Sequence, residues 1–358
     1  MKHRIAFLDG LRGVAILMVV LFHAYARWPD IVPYGNQYEF LLFKFGFLGV
    51  QLFFLISGFV ILLTLENCKD IKEFVFKRWL RLFPAMFFCS LTIFLTANLF
   101  HERPAGNPTL VSLLPGMLFI EPSWINNLVG ISINPLEGAF WSLYVEFKFY
   151  IVAGSIYFLL GRTRLVIALF GLSLIGILSH GLSSITQWPA ANLLSKISQV
   201  TSIDHFGWFA AGASVYVFTR TGNTKWIVVA CCFAVCSSVL LRFGNAEITI
   251  AALAVSALFV FSFGCQWLQG ILNGKVVQFF GFISYPLYLL HENAMIASIV
   301  KLGGIIGDIP RFILPLIPIA GLAIFSYLCA KYVEPTIRSL IRTCLSGVNY
   351  YVNKLKGA

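Results

Sequence analysis

Residues 7–30 read FLDGLRGVAILMVVLFHAYARWPD, a run with an apolar core long enough to cross the roughly 30 Å of hydrocarbon in a bilayer as one helix. Two ionisable residues interrupt it, because Arg12 lies near its start and His23 follows eleven residues later. At 1.5 Å per residue they are about 16 Å apart along the axis, and eleven residues make nearly three turns, so both side chains point to the same side. An ionisable group at mid-membrane costs about 2.5 to 3.5 kcal/mol and tends to face a partner or a cavity. These two residues are therefore candidates for function.

The composition of the whole chain predicts a membrane protein. Of 358 residues, 59% are hydrophobic and 11% are charged, whereas soluble domains carry about 25% charged residues. Repeated apolar runs of about 20 residues predict an all-α, polytopic fold, since a transmembrane barrel would show short alternating segments.

The apolar runs predict about ten membrane spans within a single transmembrane domain that covers residues 1–358. We expect the break at 101–138, which contains five prolines and a further apolar run, to form an ordered cap or a partly re-entrant segment. A short basic cytoplasmic tail is expected at 334–358. The predicted spans are 8–27, 40–65, 82–100, 139–160, 165–180, 203–219, 226–242, 247–268, 279–300 and 312–333.

The distribution of basic residues predicts that both termini are cytoplasmic. With the N-terminus inside, 17 of the 26 Lys and Arg residues fall in cytoplasmic segments and 6 fall outside, as the positive-inside rule requires. The same rule and contact with anionic membrane lipid account for the net charge of +11 without nucleic acid as a partner.

A cleaved signal peptide is an alternative interpretation of the first span, because a basic start and an apolar core precede Ala24-Tyr25-Ala26. Cleavage would remove Arg12 and His23. The run is long for a signal peptide and contains an arginine, which favours retention.

Polar residues in two other spans are further site candidates. Glu146 lies about two turns into the fourth span, near the expected depth of His23. The ninth span carries Ser284 and Tyr285 and then the consecutive polar residues 291–293, starting with His291, which cannot all face lipid.

Each candidate also has a simpler interpretation. Arg78 and Arg81, at i and i+3 at the start of the third span, either anchor the helix or bind phosphate. His23 either packs or relays protons, or acts as a base beside a carboxylate.

The eight cysteines mostly fall in apolar runs without metal-binding spacing, so no metal is expected.

Six segments together resemble the acyltransferase-3 family of integral membrane acyltransferases, in order and over nearly the whole chain. They are FLDGLRGVAILMVVLFHA, LGVQLFFLISGFVI, FKRWLRLFPA, FWSLYVEFKFY, FGFISYPLYLLHE and KYVEPTIR. The resemblance implies an enzyme of the bacterial cytoplasmic (inner) membrane that transfers an acyl group, usually acetyl from cytoplasmic acetyl-CoA, to a carbohydrate hydroxyl at the cell envelope. Typical acceptors are O-antigen, exopolysaccharide and other glycans, including lipid-linked glycans. Because residues 334–358 are few, the short form without an extracytoplasmic hydrolase-like domain is expected.

The resemblance also implies roles for individual residues. Arg12 and His23 match the first-span pair of the family, and Glu146 matches the acid after Trp141. The implied CoA-binding residues are Arg12, Arg78 and Arg81, the implied catalytic residues are His23 and Glu146, and the implied substrate-binding residues are Trp141, Ser284, Tyr285 and His291. The chain departs from the common pattern at Gln51, where many members have an acid, and at Lys148.

The expected mechanism places the thioester near His23, which deprotonates the sugar hydroxyl while Glu146 orients the imidazole. An acetyl-histidine intermediate remains an alternative route. Two other functions also remain open: a proton-coupled transporter or flippase of a small solute or glycolipid, and a purely structural assembly partner.

Overall fold

The computed structural model of the protein describes residues 5–130, 132–186, 188–241, 244–305 and 310–356. Within these ranges the chain is helical and contains no strand, which confirms the all-α prediction. The α-helices are α1 (Ala6–Phe22), α2 (Leu41–Lys44), α3 (Gly49–Leu65), α4 (Ile71–Thr96), α5 (Leu113–Leu118), α6 (Pro122–Val129), α7 (Trp141–Leu160), α8 (Arg162–Ile185), α9 (Pro189–Thr201), α10 (Phe206–Thr221), α11 (Lys225–Leu241), α12 (Ala246–Phe261), α13 (Gln266–Leu272), α14 (Lys275–Leu290), α15 (Asn293–Ile305), α16 (Leu316–Leu328) and α17 (Glu334–Lys356).

Six continuous helical stretches in the described part of the chain are long and apolar enough to cross a membrane. A seventh crossing is formed if α12 and α13, which are bent by 101° at their junction, count as one broken span. Three further apolar helices, α11, α14 and α15, are shorter. The six stretches are Ala6–Arg27, Gly46–Leu65, Ile71–Leu99, Gly138–Leu160, Arg162–Ile185 and Leu316–Leu345.

Three sequence-predicted boundaries differ from those of the structure. The third stretch starts at Ile71 rather than at residue 82, because the charged segment before residue 82 continues the same helix. The predicted ninth span, 279–300, is two helices that are interrupted at His291 and Glu292. The last stretch continues through a π-helical turn, Cys329–Val333, into α17, so part of the predicted tail belongs to it.

The contacts of the chain group into two compact units. The first comprises Met1–Val75 and Trp141–Ser284, and the second comprises Phe76–Phe140 and Tyr285–Ala358. Both α4 and α14 continue from one unit into the other.

Glycines allow very close helix packing in the first unit. A Cβ atom at Gly212 of α10 would lie 1.9 Å from the carbonyl oxygen of Leu55 in α3, and one at Gly58 of α3 would lie 2.0 Å from that of Phe209. The same applies to α1, where a Cβ at Gly13 would lie 2.0 Å from the carbonyl oxygen of Val277. Membrane helices associate by such close backbone contact, because lipid supplies no hydrophobic force between them.

An ion-pair cluster joins the ends of three helices in this unit. The carboxylate of Glu66, just after α3, accepts a hydrogen bond from Arg162 of α8 at 2.8 Å and from the hydroxyl of Tyr216 in α10 at 2.6 Å. The Nε atom of Arg220 lies 3.4 Å from the same carboxylate. Glu66 therefore fixes α3, α8 and α10 relative to each other.

The second unit is organised by side chains that follow α14. Glu292 accepts a hydrogen bond from the backbone amide of Ala139 at 2.7 Å. The amide side chain of Asn293 donates to the carbonyl of Leu136 at 2.8 Å and accepts from the backbone amide of Ala105 at 3.0 Å. These bonds satisfy backbone groups of the 97–140 segment, which connects α4 to α7.

We expect Gly212→Ala to destabilise the protein by about 1 to 3 kcal/mol or more, because the new methyl group would overlap backbone that cannot move easily. Gly171→Ala in α8 is the matched control, since a Cβ there meets no atom within 4 Å. It should stabilise by about 0.5 to 1 kcal/mol. Thermal unfolding midpoints in detergent measure both, and equal midpoints for wild-type and Gly212→Ala would contradict this packing.

Candidate active site

His23 lies where α1 ends and a π-helical turn, His23–Arg27, begins. Its Nδ1 atom lies 2.9 Å from the carbonyl oxygen of Val19 in a hydrogen bond. Because a carbonyl oxygen only accepts, Nδ1 carries the proton in this bond, and Nε2 keeps its lone pair in the neutral ring. The partly exposed His23 side chain therefore has the tautomer that a general base acting through Nε2 requires.

The π-helical turn at His23 is not visible in the sequence pattern. Such turns are rare and often occur at functional sites. Helical periodicity predicts a regular helix through Arg27, so the change of helix type at His23 is found only in the structure.

Glu146 lies in α7 and is held by two hydroxyl groups. Its Oε1 atom accepts a hydrogen bond from Ser57 of α3 at 2.7 Å and another from Tyr150, one turn further along α7. The predicted contact in which Glu146 orients His23 is not formed among the described residues, because the imidazole bonds to Val19 and the carboxylate to Ser57 and Tyr150.

Trp141 begins α7 and is 39% exposed. Its ring lies 5.4 Å from the ring of His205 and 6.4 Å from that of Phe54. Lys148, two residues after Glu146 in α7, donates a hydrogen bond to the hydroxyl of Ser202 at 3.0 Å. Trp141 thus presents a partly open aromatic surface at the first residue of the helix that carries Glu146.

Arg12 forms an ion pair with an acidic residue of its own helix. Its NH1 atom lies 2.7 Å from Oδ1 of Asp9, one turn earlier in α1. The side chains of Arg12 and Asp9 are 18% and 9% exposed. Any phosphate that binds Arg12 would share the guanidinium with this carboxylate.

The predicted arginine pair of α4 occupies two different environments. Arg78 is 4% exposed, whereas Arg81 is exposed. Both lie well inside α4, which begins at Ile71. Arg81 alone offers an open guanidinium.

The three candidate substrate-binding residues of the predicted ninth span form hydrogen bonds within their own unit. The hydroxyl of Ser284 donates to the carbonyl of Gly281 at 2.9 Å, and that of Tyr285 donates to the carbonyl of Leu82 at 3.0 Å. Nδ1 of the fully buried His291 hydrogen-bonds to the carbonyl of Tyr288 at 2.9 Å. These side chains therefore stabilise the helix and the break that follows it.

Comparison with known proteins decides the family. Residues 5–332 match the acyltransferase domain model of the acyltransferase-3 family. The chain belongs to this family.

Two curated relatives of this acyltransferase-3 chain are proteins of Staphylococcus aureus. O-acetyltransferase OatA of Staphylococcus aureus strain NCTC 8325 is 24% identical over 375 residues, which cover 92% of this chain and 57% of OatA. A protein of strain COL that is named provisionally as an O-acetyltransferase is 25% identical over 376 residues, with the same coverage. The chain thus spans little more than half the length of these relatives, and no solved structure matches it significantly.

Some partners in this acyltransferase-3 site could have been found from spacing alone. Asp9 lies three residues before Arg12, and Tyr150 lies four residues after Glu146, which are distances at which helical side chains meet. Ser57 lies on another helix and has no such signal. No group of three or more His, Cys, Asp or Glu side chains suited to a metal ion lies in the described part of the chain.

We expect Ser57→Ala and Tyr150→Phe each to destabilise the protein by about 1 to 2 kcal/mol, because each leaves the Glu146 carboxylate with one hydrogen bond fewer. Ser155→Ala is the control, since that hydroxyl donates only to the carbonyl of Ile151 in its own helix. Thermal unfolding midpoints measure the effect. If Ser57→Ala unfolds at the same temperature as Ser155→Ala, Ser57 does not hold Glu146.

Proposed function

We propose that this protein is a membrane-embedded O-acetyltransferase that transfers the acetyl group of cytoplasmic acetyl-CoA to a hydroxyl group of a cell-envelope carbohydrate. The match of residues 5–332 to the acyltransferase-3 family carries the proposal. It is supported by relatives named O-acetyltransferase, by the apolar helices and by the tautomer of His23.

The proposal includes a topology of ten crossings with both termini in the cytoplasm of a bacterium, in the cytoplasmic membrane. The six long stretches supply six crossings, and the bent pair α12–α13 supplies another. The remaining three would be α10, α11 and the broken pair α14–α15. The excess of Lys and Arg in the segments that this arrangement places inside supports it.

Arg12, Arg78 and Arg81 are proposed to bind the phosphates of CoA. Guanidinium groups suit this role because they are always charged and bind phosphate oxygens in pairs. The exposed Arg81 can receive a phosphate directly. A phosphate bound to Arg12 would replace part of the contact between Arg12 and Asp9. The phosphate that binds Arg78 would have to reach a buried guanidinium group.

His23 is proposed to be the general base. Its Nε2 atom would take the proton of the sugar hydroxyl as that oxygen attacks the thioester carbonyl carbon, and the C–S bond then breaks. The proton passes from His23 to the CoA thiolate, so the products are the acetyl ester and CoA. In a route through acetyl-histidine the same nitrogen is acylated first. The hydrogen bond from Nδ1 to Val19 places the proton on Nδ1, so Nε2 carries the lone pair that both routes require.

The other predicted residues are proposed to bind and position the acceptor. The exposed face of Trp141 suits stacking against a sugar ring. Glu146 is positioned by Ser57 and Tyr150 through Oε1, which leaves Oε2 to accept a hydrogen bond from a sugar hydroxyl. The candidates from the predicted ninth span would help to shape the part of the site that holds the acceptor, because their side chains form hydrogen bonds to backbone carbonyl groups. They are Ser284, Tyr285 and His291.

We expect His23→Ala to reduce acetylation of envelope glycans by about 10²- to 10⁴-fold, the usual contribution of a positioned acid or base. Mass spectrometry of glycans from a deletion strain, complemented with wild-type or variant protein, measures the loss of one acetyl group per modified sugar. His180→Ala is the control, because His180 bonds to Ser195 and has no role in the proposed site. Near-normal acetylation with inserted His23→Ala protein would refute the mechanism, and unchanged glycans in the deletion strain would refute the function.

A further inference from the structure

The second unit contains a pocket of about 220 Å³ that the proposed acetyl transfer does not use. It lies between the last turns of α4, the start of α15 and the middle of α16. Most of its wall is apolar and includes Ile93, Leu290, Leu322 and Phe325. Phe325 is 36% exposed and belongs to an apolar stretch long enough to cross a membrane, so the pocket reaches the exposed surface of that stretch.

One end of this pocket is polar, and two of its buried atoms are not satisfied. Arg103 is 5% exposed and Glu137 is 1% exposed. Nε of Arg103 and Oε1 of Glu137 have no hydrogen-bond partner in the part of the chain that the structure describes. Such atoms are rare in folded proteins, because a buried polar group without a partner costs about 1 to 3 kcal/mol.

The neighbouring polar groups have partners, which limits the unsatisfied positions to Arg103 and Glu137. The hydroxyls of Thr92 and Thr96 donate to carbonyl oxygens of α4 at 2.9 and 2.7 Å. Oε2 of Glu137 accepts from the backbone amide of Asn293 at 3.0 Å, and NH2 of Arg103 donates to the carbonyl of Leu136 at 2.5 Å. Both side chains are thus fixed in place with one further atom each available to a ligand.

The charges of the lining disfavour an ionic ligand. The pocket is lined by one guanidinium, Arg103, and one carboxyl group, Glu137, so neither an anion nor a cation meets an excess of opposite charge. A hydroxyl group can accept a hydrogen bond from Nε–H of Arg103 and donate one to Oε1 of Glu137. The apolar wall suits a hydrocarbon chain attached to that hydroxyl.

We propose that this pocket binds an uncharged lipid that carries a hydroxyl head group, with the hydroxyl between Arg103 and Glu137 and the chain along α4 and α16. The site is independent of the proposed acetyl transfer.

The proposal can be tested by photolabelling the full chain in nanodiscs of phosphatidylethanolamine and phosphatidylglycerol. Three probes of equal length, each with a diazirine on the chain, are compared: an alkyl alcohol, the fatty acid and the alkyl amine. We expect the alcohol to label the lining residues about tenfold more than either charged probe, a difference of about 1.4 kcal/mol in binding. Peptide mapping by mass spectrometry locates the labels.

Leu322→Trp and Ile324→Trp provide matched variants two residues apart on α16. The first fills the pocket and should reduce labelling of the lining by about fivefold or more. The second adds the same ring at a side chain that is 64% exposed and should leave the labelling unchanged. If Leu322→Trp does not fold, excess unlabelled alcohol added to wild-type protein should suppress labelling of the lining but not of Ile324. Equal labelling by the three probes, or labelling of the lining that neither the variant nor the competitor reduces, would overturn the proposal.

Discussion

A polar group inside a membrane has no water to bond to, and this constraint explains much of the structure. Three of the polar side chains that the sequence singled out have partners in their own unit. Glu146 is bonded to Ser57 and Tyr150, and Arg12 is paired with Asp9. Nδ1 of His23 is bonded to the Val19 carbonyl. Because these bonds fix the side chains, the atoms that we propose to react have defined positions before any substrate binds.

The same constraint distinguishes structural polar groups from those suited to ligands. Glu292 and Asn293 use their hydrogen-bonding atoms on the backbone of the 97–140 segment, so they stabilise an irregular chain. Arg103 and Glu137 lie in the same segment, and each has a buried atom without a hydrogen-bond partner among the residues that the structure describes. The close helix packing at Gly58 and Gly212 also has a structural role, because it brings α3 and α10 together.

Much of the helical architecture could be predicted from hydropathy, since each predicted apolar run falls largely on helical residues in the described part of the chain. The start of α4 could not be predicted in this way, because its first turns contain charged residues and their hydropathy is low. The break at His291 and Glu292 was also missed, since the apolar residues on both sides read as one span. Within the site, the candidate residues were visible as misplaced charges. Ser57, the partner of Glu146 on another helix, depends on which helices pack together, so its bond could not be predicted.

Acetyl transfer by the purified chain tests the central claim most directly. The protein in nanodiscs is incubated with acetyl-CoA labelled in its acetyl group and with envelope glycan from a strain that lacks the gene. The account predicts that label enters the glycan in amounts equal to the CoA released, and that His23→Gln abolishes both. Label transferred equally by wild-type and His23→Gln protein, or no transfer by either, would contradict it.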